Sequence, residues 1–208
     1  IYLLLYCYYP MYGVQIAFKN FRVTKGIAGS EWVGLEHFRK FFSNPSCRAL
    51  IKNTLVISLY SLVVGFPLPI IFALTLNEVA PGRYKKLVQT VSYAPHFIST
   101  VVMVSILNVF FGYSFGFVNN IRDGIGLSRI MYLGLPKYFR HMYVWSGVWQ
   151  GMGWNAIIYI SALSGVSQEL YEAATVEGAN KLQRIRYIDL PHLMPTITIL
   201  LIMQSGLR

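Results

Sequence analysis

The chain has 208 residues, 55% of them hydrophobic and only 12% charged, with a mean hydropathy of +0.48 and a formal net charge of +10. Soluble domains carry about 25% charged residues, so this composition excludes an ordinary water-soluble domain. The basic excess is not a nucleic-acid footprint either, because no basic helix or aromatic–basic stripe runs through it.

The charges are clustered. No Asp, Glu, Lys or Arg occurs from Asn53 to Asn77, Leu87 to Ile121, His141 to Gln168 or Leu190 to Leu207. About 20 apolar residues cross a bilayer as a helix. The sequence therefore predicts an all-α polytopic membrane protein with five spans, at about 1–18, 53–77, 88–111, 141–163 and 195–208. The first and last spans read as incomplete, so 1–208 is expected to be a single transmembrane domain cut at both ends and lacking a sixth span. Residues 1–18 have no methionine start or basic flank, and they do not read as a signal peptide. Pro67, Pro69 and Pro95 fall within spans, where neighbouring helices can satisfy the freed carbonyls and the prolines act as kinks or bending points.

Loops 19–52 and 112–140 lie on one side of the membrane, and loops 78–87 and 164–194 on the other. A literal positive-inside count favours a cytoplasmic first loop, with Lys19, Arg22, Lys25, Arg39, Lys40, Arg48 and Lys52. Loop 78–87 is the denser in basic charge, with Arg83, Lys85 and Lys86 in ten residues. Cys7 and Cys47 read as packing residues rather than a disulfide. His37, His96, His141 and His192 show no ligand spacing, and neither CxxC nor HExxH occurs, so no metal site is expected. No GxxxxGK[ST] is present to cradle a nucleotide phosphate, so any energy must come from another subunit. His96, beside Pro95 within a span, is an ionisable candidate with a helix-packing alternative.

Loop 164–194 carries the most information. Ser167 suits an N-cap and Glu169 the positive end of a helix expected over 168–177. Gly178 suits the left-handed position after its end. A second helix over 179–190 places Leu182, Ile185 and Ile188 at helical spacing, and Pro191 is expected to close it. Ala173 and Ala174 leave a bare patch where another backbone can approach, with Glu172 beside it.

Glu172-Ala173-Ala174, three residues, Gly178, nine residues, then Ile188-x-Leu190-Pro191 resembles the EAA coupling loop of ABC importer permeases. Tyr9–Lys19, Trp32–Phe38, Phe66–Ile70 with Leu76-Asn77-Glu78, and Tyr93–Ser99 resemble segments of the polysaccharide/oligosaccharide, LplB-like branch. The resemblance implies a type I ABC importer transmembrane fold and a multi-pass permease of the bacterial cell membrane, not an enzyme. It implies carbohydrate import by alternating access, with loop 164–194 cytoplasmic. Glu172, Ala173, Ala174, Gly178, Ile188, Leu190 and Pro191 would form the ATPase-coupling surface. The implied partners are two ABC ATPase subunits that bind the ATP, a second homologous permease, an extracytoplasmic solute-binding protein and membrane lipid. Trp149, Gln150, Trp154, Asn155 and Tyr159 of the fourth span are the candidates for lining a sugar path, with helix packing as the alternative. Aromatic faces and amides suit sugar rings and hydroxyls. Gln150 and Trp154, four residues apart, share one helix face. An intramembrane enzyme would need a converging catalytic set, which the spans lack, and a non-transporting scaffold would not need so specific a loop.

Overall fold

Proline opens three of the long helices in the computed structural model, which describes residues 1–206: Pro45 begins α4 (Pro45–Gly65), Pro67 begins α5 (Pro67–Asn77) and Pro136 begins α9 (Pro136–Leu163). The first helical position tolerates proline because its N–H would be unpaired there anyway. Leu207 and Arg208, the end of the expected fifth span, lie outside the described residues.

The chain divides into a unit of residues 1–56 and a unit from residue 57 onward. In the first, a π-helical stretch Leu4–Tyr8 runs through α1 (Tyr9–Met11) into a 3-10 stretch, Tyr12–Phe18. Two-residue strands β1 (Lys19–Asn20) and β2 (Glu31–Trp32) pair antiparallel with Lys19 opposite Trp32, a small departure from an all-helical chain. Between them lies α2 (Gly26–Gly29), and the Phe18 ring stacks on Trp32 at 5.6 Å. The next helix, α3 (Glu36–Ser43), and the start of α4 occupy a segment expected to be loop.

The second unit is organised around α9. Its neighbours are α5, α6 (Arg83–Tyr93) and α12 (Leu190–Gly206). Ile70, Ala73 and Leu74 of α5 meet Ala156, Tyr159 and Leu163 of α9 and Leu193 of α12 in one core. Ala73, Ala156 and Leu193 are fully buried, and small side chains at such seams let helix backbones approach closely. Gly153 takes this further, since a Cβ there would lie 2.1 Å from the Ser92 carbonyl oxygen of α6.

Among the described residues, two helical stretches are long and apolar enough to cross a membrane, Pro45–Asn77 and Lys181–Gly206. A third counts if α6, its 3-10 extension Ala94–Phe97 and α7 (Thr100–Phe111) are one span bent by 101°. By this criterion the five expected spans become two or three. Residues 1–18 are broken into short helical pieces of different pitch. The 28-residue α9 is long enough, but its tryptophans, glycines and amides dilute its hydropathy. Span 88–111 bends because Pro95 lacks a donor and Ser99 turns extended to cap α7, accepting from Val102 N at 3.4 Å. On α4, Leu55, Leu59 and Val63 run up one face at 61–64% exposure, a stripe suited to lipid. The 112–140 segment contains α8 (Phe117–Gly124). There the fully buried Asn119 amide donates to Gly112 O and Ile130 O, both at 3.0 Å, and its Oδ1 accepts from Ile130 N.

Replacing Gly153 by Val should force α6 and α9 apart and cost about 1–3 kcal/mol, as overpacking does. Gly147→Val on the same helix meets open space and should change stability much less. Thermal unfolding of the two variants in detergent checks the difference.

Candidate functional site: a stapled loop and an uncharged cavity

The 164–194 loop folds through local signals. Helix α10 (Gln168–Val176) starts at Ser167, whose Oγ accepts from Glu169 N at 3.2 Å. It ends with Gly178 at φ 76°, where Gly178 N–H donates to Thr175 O (3.1 Å) and Ala179 N–H to Ala174 O (2.9 Å). These two bonds are the paired closure that a left-handed residue permits. Asn180 then opens α11 (Lys181–Arg184) with a reciprocal cap: Gln183 N donates to Asn180 Oδ1 (2.9 Å) and Asn180 N to Gln183 Oε1 (2.8 Å). Asn180 was not among the residues singled out, although Asn-x-x-Gln is a legible signature.

The second loop helix does not end at Pro191, contrary to expectation. It passes through a π turn, Ile185–Asp189, directly into α12, so Lys181–Gly206 is one helical stretch. Proline clashes with the carbonyl four residues back in an α-helix. The wider π turn before Pro191, where Leu190 N–H reaches Ile185 O, accommodates it.

Between α10 and this second helix lies an open groove of about 520 Å³. Ala173, Ala174, Gly178 and Ile188 line it with Arg184 and Tyr187. Glu172 lies exposed on α10, while Leu190 and Pro191 stand at the start of α12 outside the groove. At the base of the loop is a polar cluster that sequence reasoning missed. Arg184 pairs with Glu78 at 2.6 Å, and the Asp189 Oδ1 accepts the Tyr171 hydroxyl at 2.5 Å. Burial, then the bond to Asp189, pushes the Tyr171 hydroxyl up to about 12, so it stays a protonated donor near neutral pH. The available signal was a single acid, Asp189, at an apolar-periodic position between Ile188 and Leu190.

A larger cavity of about 720 Å³ lies alongside α9. Gln150 and Asn155 line it with Ser61, Thr100, Asn108, Ser146 and Gln204, and its remaining lining is apolar, aromatic or glycine. Its lining residues include no charged side chain. The Gln150 amide also donates to Ile98 O at the α6–α7 bend, at 2.5 Å. The other sequence candidates lie elsewhere. Trp154 stacks flat on His96, centroids 4.4 Å apart, and Trp149 is half exposed. Tyr159 belongs to the core and borders a smaller cavity of about 220 Å³ that Asn155 and Gln204 share. Near Ser61, Tyr60 bridges His141 Nδ1 (2.9 Å) and Trp145 Nε1 (3.0 Å). Among the described residues, no group of three His, Cys, Asp or Glu could hold a metal ion.

The sequence profile described as "Binding-protein-dependent transport system inner membrane component" matches residues 65–207. The chain belongs to this family. It is 42% identical over 206 residues to the polygalacturonan/rhamnogalacturonan transport system permease protein YteP of Bacillus subtilis, covering 99% of this chain and 64% of that protein. It is 41% identical over 206 residues to protein LplB of the same organism, covering 65% of it. The chain thus spans just under two thirds of the length of these relatives. In structure it resembles a chain of a bacterial ABC transporter involved in the import of the acidic polysaccharide alginate, with a TM-score of 0.89 and 40% identity. That match covers 99% of this chain and 68% of the other. A second crystal structure, of an alginate transporter with an alginate pentasaccharide-bound periplasmic protein, matches at 0.87 and 40% identity, covering 99% and 67%. The family it belongs to is one of inner-membrane components of binding-protein-dependent transport systems.

Gly178→Val should disrupt this turn. Nothing lies within 4 Å of a Cβ at Gly178, so the penalty is purely that of a β-branched residue at positive φ. Transport by the Gly178→Val assembly should collapse while Gly178→Asn retains much of it, since Asn tolerates the left-handed region. Uptake assays at matched expression distinguish the two.

Proposed function

We propose that this chain is the membrane-spanning permease of an ATP-driven importer that moves an oligosaccharide into the cytoplasm. The observation that carries the reading is the stapled α10 loop, where Ala173, Ala174, Gly178 and Ile188 converge on one open groove. A groove floored by alanine and glycine admits a partner's side chains or backbone at close range. Glu172 beside it offers a charge for registration. An ATPase subunit is the partner this surface suits. Closure of an ATPase pair would move α10, and the α5–α9 core would carry that movement to the spans.

In this reading five segments cross the membrane. Helix α9 does so as the inner, cavity-lining span, where a helix need not be uniformly apolar because it faces protein and water rather than lipid. The oligosaccharide passes along the cavity beside Gln150 and Asn155, whose amides both donate to and accept from hydroxyls. Trp149, Trp154 and Tyr159 support that face from the flanks. The names of the relatives, a polygalacturonan/rhamnogalacturonan permease and an alginate importer, support a carbohydrate cargo. The bound periplasmic protein in the alginate system supports an external binding protein as a partner here. A second homologous permease and two ATPase subunits complete the proposed assembly, and ATP binds only to the latter.

Orientation follows from the same reading, with loop 164–194 cytoplasmic. A cysteine replacing Val176, 89% exposed on α10, should be shielded from impermeant thiol reagents outside intact cells, whereas one replacing Val23, 86% exposed, should react. The opposite labelling pattern would place the loop outside and end the coupling reading. The cavity makes a separate demand. Removing a buried contact costs on the order of 2 kcal/mol, so Gln150→Ala and Asn155→Ala should each weaken apparent affinity about thirtyfold. Oligogalacturonide uptake by proteoliposomes holding the complete assembly measures this, and parental kinetics in both variants would remove the cavity from the path.

A further inference from the structure

Asp189 is fully buried where the π turn passes into α12. Its Oδ1 accepts from the Tyr171 hydroxyl of α10 at 2.5 Å and from the amide of Asn77, the last residue of α5, at 3.5 Å. The Asn77 amide also reaches the Tyr171 oxygen at 3.1 Å, closing a triangle of three groups from three elements. One residue further, Glu78 pairs with Arg184 of α11 at 2.6 Å, with side chains only 10% and 22% exposed. Two consecutive residues at the end of α5 thus hold both halves of the loop: Asn77 holds α10 through Tyr171, and Glu78 holds α11 through Arg184.

The cluster is not an economical way to hold helices together. Asp189 Oδ2 and Arg184 Nε are buried without a hydrogen-bond partner among the described residues. Replacing buried charged groups with apolar ones of similar shape is often neutral or stabilising. What a charged, hydrogen-bonded cluster adds is direction, because it works at one geometry and weakens steeply away from it. Its position gives that direction a use. Asn77 ends the helix whose Ile70, Ala73 and Leu74 form the core with α9, and α9 lines the cavity.

We infer that Asp189, Tyr171 and Asn77, braced by Glu78 and Arg184, form a positioning latch that clamps α10 to the end of α5. Through it a displacement of α10 reaches the α5–α9 core instead of dissipating in the loop. The inference rests on reading α10 as the docking helix of an ATPase subunit. These residues position the coupling surface and touch neither nucleotide nor cargo. Tyr171, Asp189 and Asn77 act as one unit, so breaking any corner releases the others.

The test uses the complete assembly purified with its ATPase subunits, with Cys7→Ala and Cys47→Ala, and spin labels on Val176→Cys of α10 and Ile71→Cys of α5. Electron–electron resonance reads the spread of the Val176–Ile71 distance without any cargo. The parent should give one narrow distribution. Tyr171→Phe removes a single oxygen and Asp189→Asn a single charge, and each should broaden the distribution roughly twofold, as local release of a packed segment does. The double variant should be no broader than the worse single one, because members of one network are not additive. Melting temperatures should stay at the parental value. Parental distances in both single variants overturn the latch, as does additive broadening or broadening that merely follows a fall in melting temperature. Cross-linking of Val176→Cys to the ATPase subunit tests the docking reading separately. Without that cross-link the docking reading fails while the distances still decide whether the clamp exists; with it, unchanged distances overturn the latch alone.

Discussion

The close approach of α5 and α9 is the constraint on which the rest of the second unit depends. Ala73 and Ala156 are fully buried there, and Leu193 of α12 seals the same cluster. In lipid there is little hydrophobic drive between helices, so van der Waals contact at small residues does much of the work. Once these backbones are close, other features follow from the geometry. Helix α6 lies against α9 where Gly153 faces Ser92. The cavity opens along α9 at Gln150 and Asn155. The stapled loop leaves α9 just after the buried Leu163.

Polar groups are sorted by depth and by charge. Along the cavity they are amides and hydroxyls, each able to bond without carrying charge. The charged groups Glu78, Arg184 and Asp189 gather instead at the base of the loop. An unpaired charge in an apolar setting is costly, whereas a neutral amide such as that of Gln150 can rest on a backbone carbonyl, as it does on Ile98. The division leaves an uncharged cavity along α9 and a separate charged cluster at the base of the loop.

The turn chemistry of the loop was legible in the sequence. Ser167, Gly178 and the end of α10 act through bonds between residues a few positions apart, and short-range rules describe such bonds well. The helix beyond was less legible. Pro191 reads as a stop only if the preceding turn is α-helical, and the π turn Ile185–Asp189 removes that premise. The number of spans was blurred by the same sort of ambiguity. The uncharged run 87–121 could not reveal that Pro95 and Ser99 bend it by 101°, nor could a hydropathy scale credit α9, whose apolar run is diluted by tryptophans, glycines and amides.

Two properties were determined by the sequence alone: the lipid environment, because charge and apolar length set solvation whatever the packing, and the left-handed turn at Gly178, because its neighbours lie within one helical turn. Tertiary structure alone decided which face of α9 looks into the cavity. The helix period puts Gln150 and Trp154 on one side, yet His96 captures Trp154 by stacking and leaves Gln150 and Asn155 at the opening. It also decided the partners of Asp189. Asn77 is 112 residues away in sequence, and no local pattern encodes a hydrogen bond that exists only once distant helical segments have been brought together by their apolar faces.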